Sequence, residues 1–305
     1  MVASPRAERT LEADLLSEGP DVYDGQPVQL AQVGSRTVAV AASPTVWRLP
    51  PADAVLLKRG PTRARLRLYQ QDEPIGDRLV VAGCDPGISV LARHVARQGA
   101  ELMPVHANSA RSLELLKAGL VHVAGSHLRD HVTGESNLAA VKKMFPRGTV
   151  AVFGFVLWEE GIVVASGNPK NIRGIEDLAR PGVRLMNREA GSGSRQLLDS
   201  ALGRLGIHPR KVTGYGSAAP GHLPAAWRVR TGEADCCIAT RAAARALGLD
   251  FIPLISERYD LVMYKRHLSE RPVQALLDVL SRAAFRRELA AFGSYDTTGA
   301  GQRIK

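Results

Sequence analysis

The stretch NREAGSGSR, residues 187–195, joins an apolar strand that ends at Met186 to an amphipathic helix predicted over Gly193–Leu205. Glycines let backbone N–H groups come close to a ligand, and the first N–H groups of a helix have no partner inside the helix. Ser192 and Ser194 add hydroxyl donors, so the stretch predicts an anion seat. Residue types alone leave a second interpretation open, in which one of these serines is simply an N-cap.

Spacing excludes two better-known loops at this position. No Gly-Lys-Ser/Thr follows the glycines, as a phosphate-binding P-loop requires. Residues 191–194, GSGS, also lack the G-x-S-x-G spacing of a nucleophile elbow. The stretch is therefore expected to bind a ligand rather than to supply a serine nucleophile.

Strands and helices alternate from Arg78 to the C-terminus, which predicts an α/β fold built from βαβ units with mainly parallel strands. The predicted strands include Leu79–Ala82, Thr149–Leu157, Ile162–Ser166, Val183–Met186, Val212–Tyr215, Phe251–Ser256 and Asp260–Tyr264. Ligands of such sheets bind beyond the carboxyl ends of the strands. Small polar residues stand at several of these ends, namely Cys84-Asp85, Ser126-His127, Asn187-Arg188, Tyr215 and Thr240.

The charge of the chain is uneven along its 305 residues. The net charge is +10, yet residues 1–75 hold nine basic and nine acidic residues, so the whole excess lies after them. A basic module suits an anionic ligand or a nucleic-acid neighbour. An arginine-rich solvated surface explains the same excess equally well.

The cysteines and the N-terminus narrow the class of protein. Cys84, Cys236 and Cys237 are too few and too odd in number for a disulfide framework, and adjacent cysteines in a strand face opposite sides. We expect small core residues. The first 21 residues contain no apolar run of the signal-peptide kind, and no segment is long enough to span a bilayer. A cytoplasmic protein without membrane contact is expected.

The first 76 residues form a separate appendage in this interpretation. Short β-like runs punctuated by Pro and Gly predict a small, β-rich unit that is partly disordered. Residues 38–49, VAVAASPTVWRL, faintly resemble a DNA-recognition helix, but Pro50-Pro51 would stop that helix at once. Whether the appendage binds DNA stays open at this point.

Several motifs together resemble the periplasmic-binding-protein-like domain that occurs in cytoplasmic prokaryotic proteins, often fused to helix-turn-helix or molybdopterin-biosynthesis domains. The matching motifs are VVAGCDP (80–86), AGSHL (124–128), EEGIVVASGNPKNIRGIEDLARPGVRLMNREAGSGSRQLLD (159–199), GLDFIPLISERYDLV (248–262) and GSYDTTG (293–299). They cover about 70% of the chain, from Arg78 to Gly299.

The resemblance implies a type II two-lobed fold over residues 77–305. Lobe I would comprise residues 78–158 and 258–305, and lobe II residues 159–257. Kinship with molybdate- and tungstate-binding proteins implies a tetrahedral oxyanion or a related metabolite in the cleft between the lobes. Glu159 and Glu160 would mark the crossing between the lobes and are expected to be structural.

The candidate ligand-binding residues come from the strand ends, the helix starts and one polar loop. They are Asp85, Asn108, Ser109, Ser126, His127, Asn187, Arg188, Ser192, Gly193, Ser194, Arg195, Tyr215 and His222. For Asp85 and Ser109, capping of the next helix is an equal alternative. No spacing typical of a metal site, a cofactor loop or a nucleophile with an adjacent base is visible, so no metal, cofactor or catalytic residue is expected.

Two functions of different classes follow. The first is a sensor in which a small anion closes the lobes and thereby regulates transcription or a partner. The second is an enzyme or accessory protein of molybdenum-cofactor metabolism that uses the same cleft. The sequence favours the binding protein over the enzyme, and it leaves open whether the chain forms a homodimer.

Overall fold

The computed structural model describes residues 9–17, 22–42, 51–70, 78–129, 137–292 and 295–304. The strands are β1 Thr10–Leu15, β2 Pro27–Val33, β3 Arg36–Ala41, β4 Ala54–Arg59, β5 Arg63–Leu68, β6 Arg78–Gly83, β7 Glu101–His106, β8 Val123–Ser126, β9 Val150–Val164, β10 Leu185–Arg188, β11 Ala218–Ala219, β12 Cys236–Thr240, β13 Asp250–Tyr264 and β14 Tyr295–Asp296. The helices are α1 Ile88–Ala96, α2 Ser109–Lys117, α3 Leu138–Met144, α4 Gly193–Arg204, α5 His222–Arg230, α6 Arg241–Ala246, α7 Arg271–Ser281 and α8 Ala283–Ala291.

The N-terminal strands close into a five-stranded barrel in the order β1-β3-β2-β4-β5. Alternate residues point inward, so that Leu30, Leu56 and Leu66 fill a core of their own. The prediction of a strand-rich N-terminal unit is thereby confirmed. Of the segment that resembles a recognition helix, residues 38–41 belong to β3, and residues 43–49 lie outside the described part of the chain.

The remaining strands, β6 to β14, form one mixed sheet in the order β11-β10-β12-β9-β13-β8-β6-β7, with β14 added to β9. β6 is parallel to β7 and β8, and β10 is parallel to β11 and β12. The central pairs of β9 with β12 and β13 are antiparallel. The α/β class is confirmed, but the expectation of mainly parallel strands fails at the centre, because β9 and β13 pair there as long antiparallel partners.

β9 and β13 are each 15 residues long, and each was predicted as two shorter strands. Residues 158–161, WEEG, look like a turn because they are charged and end in glycine. In the structure they stay extended, since Trp158 and Glu159 pair with Glu257 and Ser256 across the two strands. The sheet therefore continues through the segment that was expected to interrupt it.

The two long strands connect two halves of the sheet. At one end β13 pairs with β8 from Asp260 to Met263, and at the other end β9 pairs with β12 from Glu160 to Val164. We call the half with β6, β7 and β8 lobe I, and the half with β10, β11 and β12 lobe II. The predicted lobe boundaries at 158/159 and 257/258 fall inside β9 and β13 and stay a prediction.

Three local predictions meet the structure in lobe II. The helix after the glycine-rich stretch is α4, and the strand before it is β10, two residues later than predicted. The predicted strand Val212–Tyr215 is wrong, because this segment follows a 3-10 turn at Pro209–Lys211 and continues in hydrogen-bonded turns. Cys236 and Cys237 are buried in the cores on opposite faces of β12, as expected.

In the part of the chain that the structure describes, no helix has the length and apolarity to cross a membrane.

Candidate functional site

A cluster of buried polar side chains lies where the two lobes meet. We call it the interlobe cluster, and it consists of Cys84, His127, Glu160, Arg188, Ser194, His222 and Glu257. The carboxyl ends of β6 and β8 bring Cys84 and His127 from lobe I. The strand β10 and the starts of α4 and α5 bring the lobe II residues, and β9 and β13 bring the two glutamates.

His127 is at the centre of the cluster. Its Nε2 is 3.6 Å from Cys84 Sγ, and its Nδ1 is 3.1 Å from Glu257 Oε2. Burial lowers the pKa of His127, but the contacts with Cys84 and Glu257 outweigh this and hold it well above the usual value. Glu257 responds in the opposite sense: burial raises its pKa, and His127 brings it below the usual value. A thiol, an imidazole and a carboxylate thus stand in series.

His222 faces the same thiol from lobe II. Its Nε2 is 3.8 Å from Cys84 Sγ, and its Nδ1 accepts a hydrogen bond of 2.9 Å from Arg188 Nη1. Burial, followed by the charges of Arg188 and His127, holds the pKa of His222 well below its usual value. His222 is therefore a neutral imidazole whose proton is on Nε2.

Arg188 is a fully buried cation with a fixed orientation. Its Nε and Nη2 donate to the two oxygens of Glu189 at 2.9 and 3.1 Å. Burial lowers the pKa of Arg188, but Glu189 more than compensates, so the guanidinium stays charged. Its remaining nitrogen, Nη1, points to His222 and to Ser194 Oγ, which is 3.3 Å away.

Glu160 extends the cluster from the hinge strand β9. Ser194 Oγ donates a short hydrogen bond to Glu160 Oε1. Burial, together with the charge of Glu257, raises the pKa of Glu160 to about 8. At neutral pH this carboxyl group is therefore mostly protonated and able to donate a hydrogen bond.

Two buried donors around the cluster have no hydrogen-bond partner among the residues that the structure describes: Ser126 Oγ and Trp158 Nε1. Ser126 precedes His127 at the end of β8, and the Trp158 indole packs edge-on at centroid distances of 5.0 Å from His127 and 5.2 Å from His222. An unsatisfied buried donor costs about 1–3 kcal/mol. Such donors are typical of a site whose partner is a ligand.

The glycine-rich helix start faces His127. A Cβ added at Gly193 would collide with the imidazole ring of His127, so only glycine lets the two lobes approach here. Ser192 is the N-cap of α4: its Oγ accepts from Arg195 N at 3.2 Å and donates to the Glu189 carbonyl at 2.8 Å. The N-cap alternative is therefore correct for Ser192, whereas Ser194 faces the cluster.

The lobes also touch through backbone groups beside the cluster. Asn108 Nδ2 donates to the Ala190 carbonyl at 3.1 Å, and Ala110 N donates to the Gly191 carbonyl at 3.3 Å. Asn108 is also the N-cap of α2, and Ser109 Oγ accepts from His127 N at 3.1 Å. These two predicted residues therefore position the site and the lobe contact.

Asp85 lies at the edge of the site, with Tyr295 Oη donating to its Oδ1 at 3.1 Å. Burial raises the pKa of Asp85 to about 7. Its Oδ1 also accepts from Gly87 N in the turn that precedes α1, but the N-cap of α1 is Gly87, so Asp85 is not the predicted cap. Its Oδ2 has no partner among the described residues.

Three predicted residues are engaged elsewhere. Arg195 binds Asp199 at 3.0 Å and covers the Tyr215 ring at 4.0 Å, while Tyr215 Oη donates to the same carboxylate. Asn187 Nδ2 donates to the Tyr215 carbonyl at 2.9 Å. Arg195 follows Ser194 directly in α4 and therefore points to a different side of the helix. The structure shows no contact of Arg195, Tyr215 or Asn187 with His127 or His222.

Sequence reasoning missed Cys84, Trp158, Glu160 and Glu257. One signal was available: a charged residue such as glutamate is unusual inside an apolar run, and such a run is FGFVLWEEGIVVA, residues 153–165. The expectation that no nucleophile has an adjacent base is wrong, because the fold brings Cys84 Sγ to 3.6 Å from His127 Nε2. The sequence does not show this, since the two residues are 43 positions apart in the chain. Two sets in the cluster also have ligand atoms close enough for one metal ion, namely Cys84, His127 and His222, and His127, Glu160 and Glu257.

Comparison with known proteins gives the family. The family model for a PBP superfamily domain matches residues 92–281. The Bacillus subtilis (strain 168) protein YvgK, described as uncharacterized, is 35% identical over 237 residues, which are 77% of this chain and 76% of that protein. A Clostridium pasteurianum protein, described by its position in the 5′ region of a 2Fe-2S ferredoxin gene, is 35% identical over 35% of this chain and 96% of its own length.

Solved structures show the same fold at low identity. A phosphate ABC transporter substrate-binding protein from Clostridium perfringens, with bound phosphate, has a TM-score of 0.52 at 13% identity, over 72% of this chain and 99% of its own. The sulfate-binding protein SubI from Mycobacterium tuberculosis H37Rv has a TM-score of 0.54 at 18% identity, over 72% of this chain and 86% of its own. The predicted type II two-lobed fold is confirmed.

Proposed function

Because the chain belongs to the PBP superfamily and has its ligand-binding fold, we propose that its interlobe cluster captures a small oxyanion and that this protein is a sensor rather than an enzyme. The observation that carries the proposal is the set of buried donors in and beside the interlobe cluster. Arg188 supplies a fixed cation, and Ser126 Oγ and Trp158 Nε1 are donors without a partner among the described residues.

The carboxyl groups of the cluster do not contradict an anion. Glu160 has a pKa of about 8, so at neutral pH it offers a proton instead of a negative charge. The charge of Glu257 is balanced by His127, 3.1 Å away, and that of Glu189 by Arg188. The net charge of the enclosed site is therefore close to neutral, and the first turn of α4 adds its dipole.

The ligand class that we favour is a tetrahedral oxyanion of the molybdate or tungstate kind. The two solved relatives in fold, the phosphate-bound protein and the sulfate-binding protein, take ligands of this shape. A site that donates from several directions and neutralises its own carboxylates suits such an anion.

Isothermal titration of the purified chain with molybdate, tungstate, sulfate and phosphate tests the proposal. We expect one of them to bind at one site per chain, and Ser126→Ala to weaken that binding about tenfold through the loss of one hydrogen bond. Ser89→Ala removes an exposed serine whose hydroxyl donates to the Pro86 carbonyl, and it should leave the affinity unchanged. Absence of binding by all four anions would contradict the oxyanion class.

We propose further that the barrel is the output of the sensor and regulates transcription or a partner. The helix α2 begins at the lobe contact of Asn108 and Ala110, and it ends where Arg36 of the barrel donates to the Ala118 carbonyl at 3.2 Å. Leu113 and Leu116 of α2 share a core with Val33 and Val38 of the barrel. A change at the lobe contact therefore reaches the barrel through one rigid helix.

A gel shift with the DNA upstream of the protein's own gene tests the transcriptional form of this role. Binding should weaken steeply with salt and should change when the bound anion is added. A cytoplasmic location belongs to the same proposal, and fractionation of the producing cells would check it.

An enzyme that acts in the same cleft is the second candidate, including one of molybdenum-cofactor metabolism. It is favoured by the series of Cys84, His127 and Glu257, in which a base could activate a thiol and a carboxylate orients that base. Turnover of a molybdopterin precursor, abolished by Cys84→Ser, would place it above the sensor.

A further inference from the structure

We propose that Cys84, His127 and His222 bind a thiophilic divalent metal ion, represented here by Zn²⁺, and that the oxyanion completes its coordination. The metal site itself is independent of the sensor role. Only the part that concerns the oxyanion rests on the proposed function.

The sulfur–nitrogen distances among the three side chains fit zinc ligands, and all three donor atoms lie within 4.8 Å of one another. Cys84 Sγ is 3.6 Å from His127 Nε2 and 3.8 Å from His222 Nε2. With bonds of about 2.3 Å to sulfur and about 2.0–2.1 Å to nitrogen, tetrahedral zinc holds its sulfur and nitrogen ligands about 3.6 Å apart. All three side chains are buried, at 5%, 1% and 1% exposure, so none of the donor atoms is a freely solvated surface group.

His127 is oriented as a metal-bound histidine. Its Nδ1 lies 3.1 Å from Glu257 Oε2, so a proton on Nδ1 is shared with this carboxylate, and Nε2, which faces the thiol sulfur, becomes a metal ligand once it gives up its proton. Carboxylate–histidine–zinc arrangements of this kind fix the ring and raise its basicity. Glu257 is therefore assigned a positioning role.

His222 needs one rearrangement. Its Nδ1 now accepts from Arg188 Nη1, so Nε2 carries the proton. Metal binding at Nε2 moves this proton to Nδ1, where it would face the Nη1 donor of Arg188. Because the guanidinium is planar, Arg188 must shift as a whole away from Nδ1, which loosens its two bonds to Glu189. Because zinc binds a thiolate and neutral imidazoles, binding releases protons to solvent.

Three protein ligands leave one position of a tetrahedral zinc ion open. The Trp158 indole packs against both imidazoles, and its Nε1 is one of the donors without a partner in the described part of the chain. Ser126 Oγ is the other. An oxyanion bound to the metal through one oxygen would present its other oxygens to such donors, which unites the metal with the anion site.

The test uses the purified full chain, treated with a chelator and then titrated with Zn²⁺ and, separately, with Co²⁺. We expect one ion per chain, release of protons, and a thiolate-to-cobalt charge-transfer absorption. Cys84→Ser should abolish that absorption and weaken Zn²⁺ binding by more than about 100-fold, whereas Glu257→Gln should weaken it by about 10- to 100-fold.

Matched controls separate the site from its surroundings. Cys237→Ser changes a buried cysteine of β12 outside the cluster, and His94→Gln changes a buried histidine that pairs with Glu288. Both should retain the absorption and the affinity. His222→Gln provides a second ligand variant if Cys84→Ser fails to fold, as judged by circular dichroism.

The inference is overturned if the wild-type chain binds no Zn²⁺, or if Cys84→Ser and His222→Gln bind it as tightly as the wild type. Oxyanion titration in the presence of chelator keeps the two proposals apart. An oxyanion that binds equally well without metal supports the sensor and rejects a metal-bound anion. Binding of Zn²⁺ without binding of any oxyanion supports the metal site and rejects the oxyanion sensor.

Discussion

The barrel interior and the interlobe cluster are both closed off from solvent, but they are built from opposite kinds of side chain. The barrel encloses Leu30, Leu56 and Leu66 among alanines and valines, so burial itself stabilises it. The interlobe cluster encloses charged and polar groups, among them Glu160 and Arg188, whose burial costs free energy unless they are paired. The difference separates a region selected for stability from a region that keeps polar groups ready for a ligand.

The largest effect is expected in the barrel. Leu56 is fully buried, and Leu56→Ala should lower the free energy of unfolding of the barrel by about 2–5 kcal/mol through lost burial and a new cavity. Urea denaturation would measure it. Leu205, which is 51% exposed, gives the matched control, because Leu205→Ala should change stability by less than about 0.5 kcal/mol. A comparable loss in both variants would refute the assignment of the barrel core.

The shifted pKa values in and beside the interlobe cluster should make the free energy of unfolding depend on pH. Glu160 and Asp85 have raised pKa values of about 8 and about 7, and the pKa of His127 is raised as well. A folded state that holds protons more tightly than the unfolded state loses stability as pH rises. Below pH 6.5 the lowered pKa of His222 has the opposite effect on stability. The effect of the raised pKa values is therefore best measured between pH 6.5 and 8.

We therefore expect the free energy of unfolding to fall between pH 6.5 and 8. In Glu160→Gln the fall in the free energy of unfolding should be smaller by up to about 2 kcal/mol. This is the contribution, over this pH interval, of one proton that the folded state binds and the unfolded state does not. Thermal or urea unfolding across the pH series measures it. Equal slopes for wild type and variant would show that Glu160 does not carry a raised pKa.

A smaller effect is expected at the joint between the regions. Arg78 of β6 donates to the Leu30 carbonyl of the barrel at 2.8 Å, pairs with Asp53 of the barrel and binds Glu101 of β7 at 2.7 Å. Arg78→Met should cost about 1–2 kcal/mol, because it removes hydrogen bonds made by a half-buried charged group. If barrel and sheet unfold in one transition in the wild type, fluorescence and circular dichroism melts should separate in the variant; coincident melts would contradict this joint.

The smallest effect on stability is expected inside the cluster. Ser126→Ala removes a hydroxyl that has no partner among the described residues, so stability should change by less than about 1 kcal/mol, even though the residue is fully buried. A loss of several kcal/mol in differential scanning calorimetry would mean that the hydroxyl is already satisfied and is not held for a ligand.

Local signals made part of the structure predictable. The start of α4 could be located from glycine and serine before an apolar repeat, and Ser126-His127 from a strand end, because these signals lie within a few residues. Cys84, His127 and Glu257 could not be connected, because 43 and 130 residues separate them and only the sheet order brings them together.

The glutamates were misjudged for a related reason. Glu159 and Glu160 are neighbours in the sequence and were both interpreted as structural residues of the crossing between the lobes. In the strand they face opposite ways: Glu159 binds Arg241 at 2.5 Å near the surface, whereas Glu160 is buried in the cluster. An alternation of two residues becomes visible only when the segment is known to be a continuous strand.

The course of β9 and β13 has a mechanical consequence. Glu160 is the first residue of β9 that pairs with β12 of lobe II, and Glu257 lies in β13 shortly before its pairing with β8 of lobe I begins at Asp260. Any rotation of one half against the other must be taken up as torsion of these two strands. In the proposed sensor, a ligand bound beside Glu160 and Glu257 would therefore act directly on the two strands that connect the sheet halves.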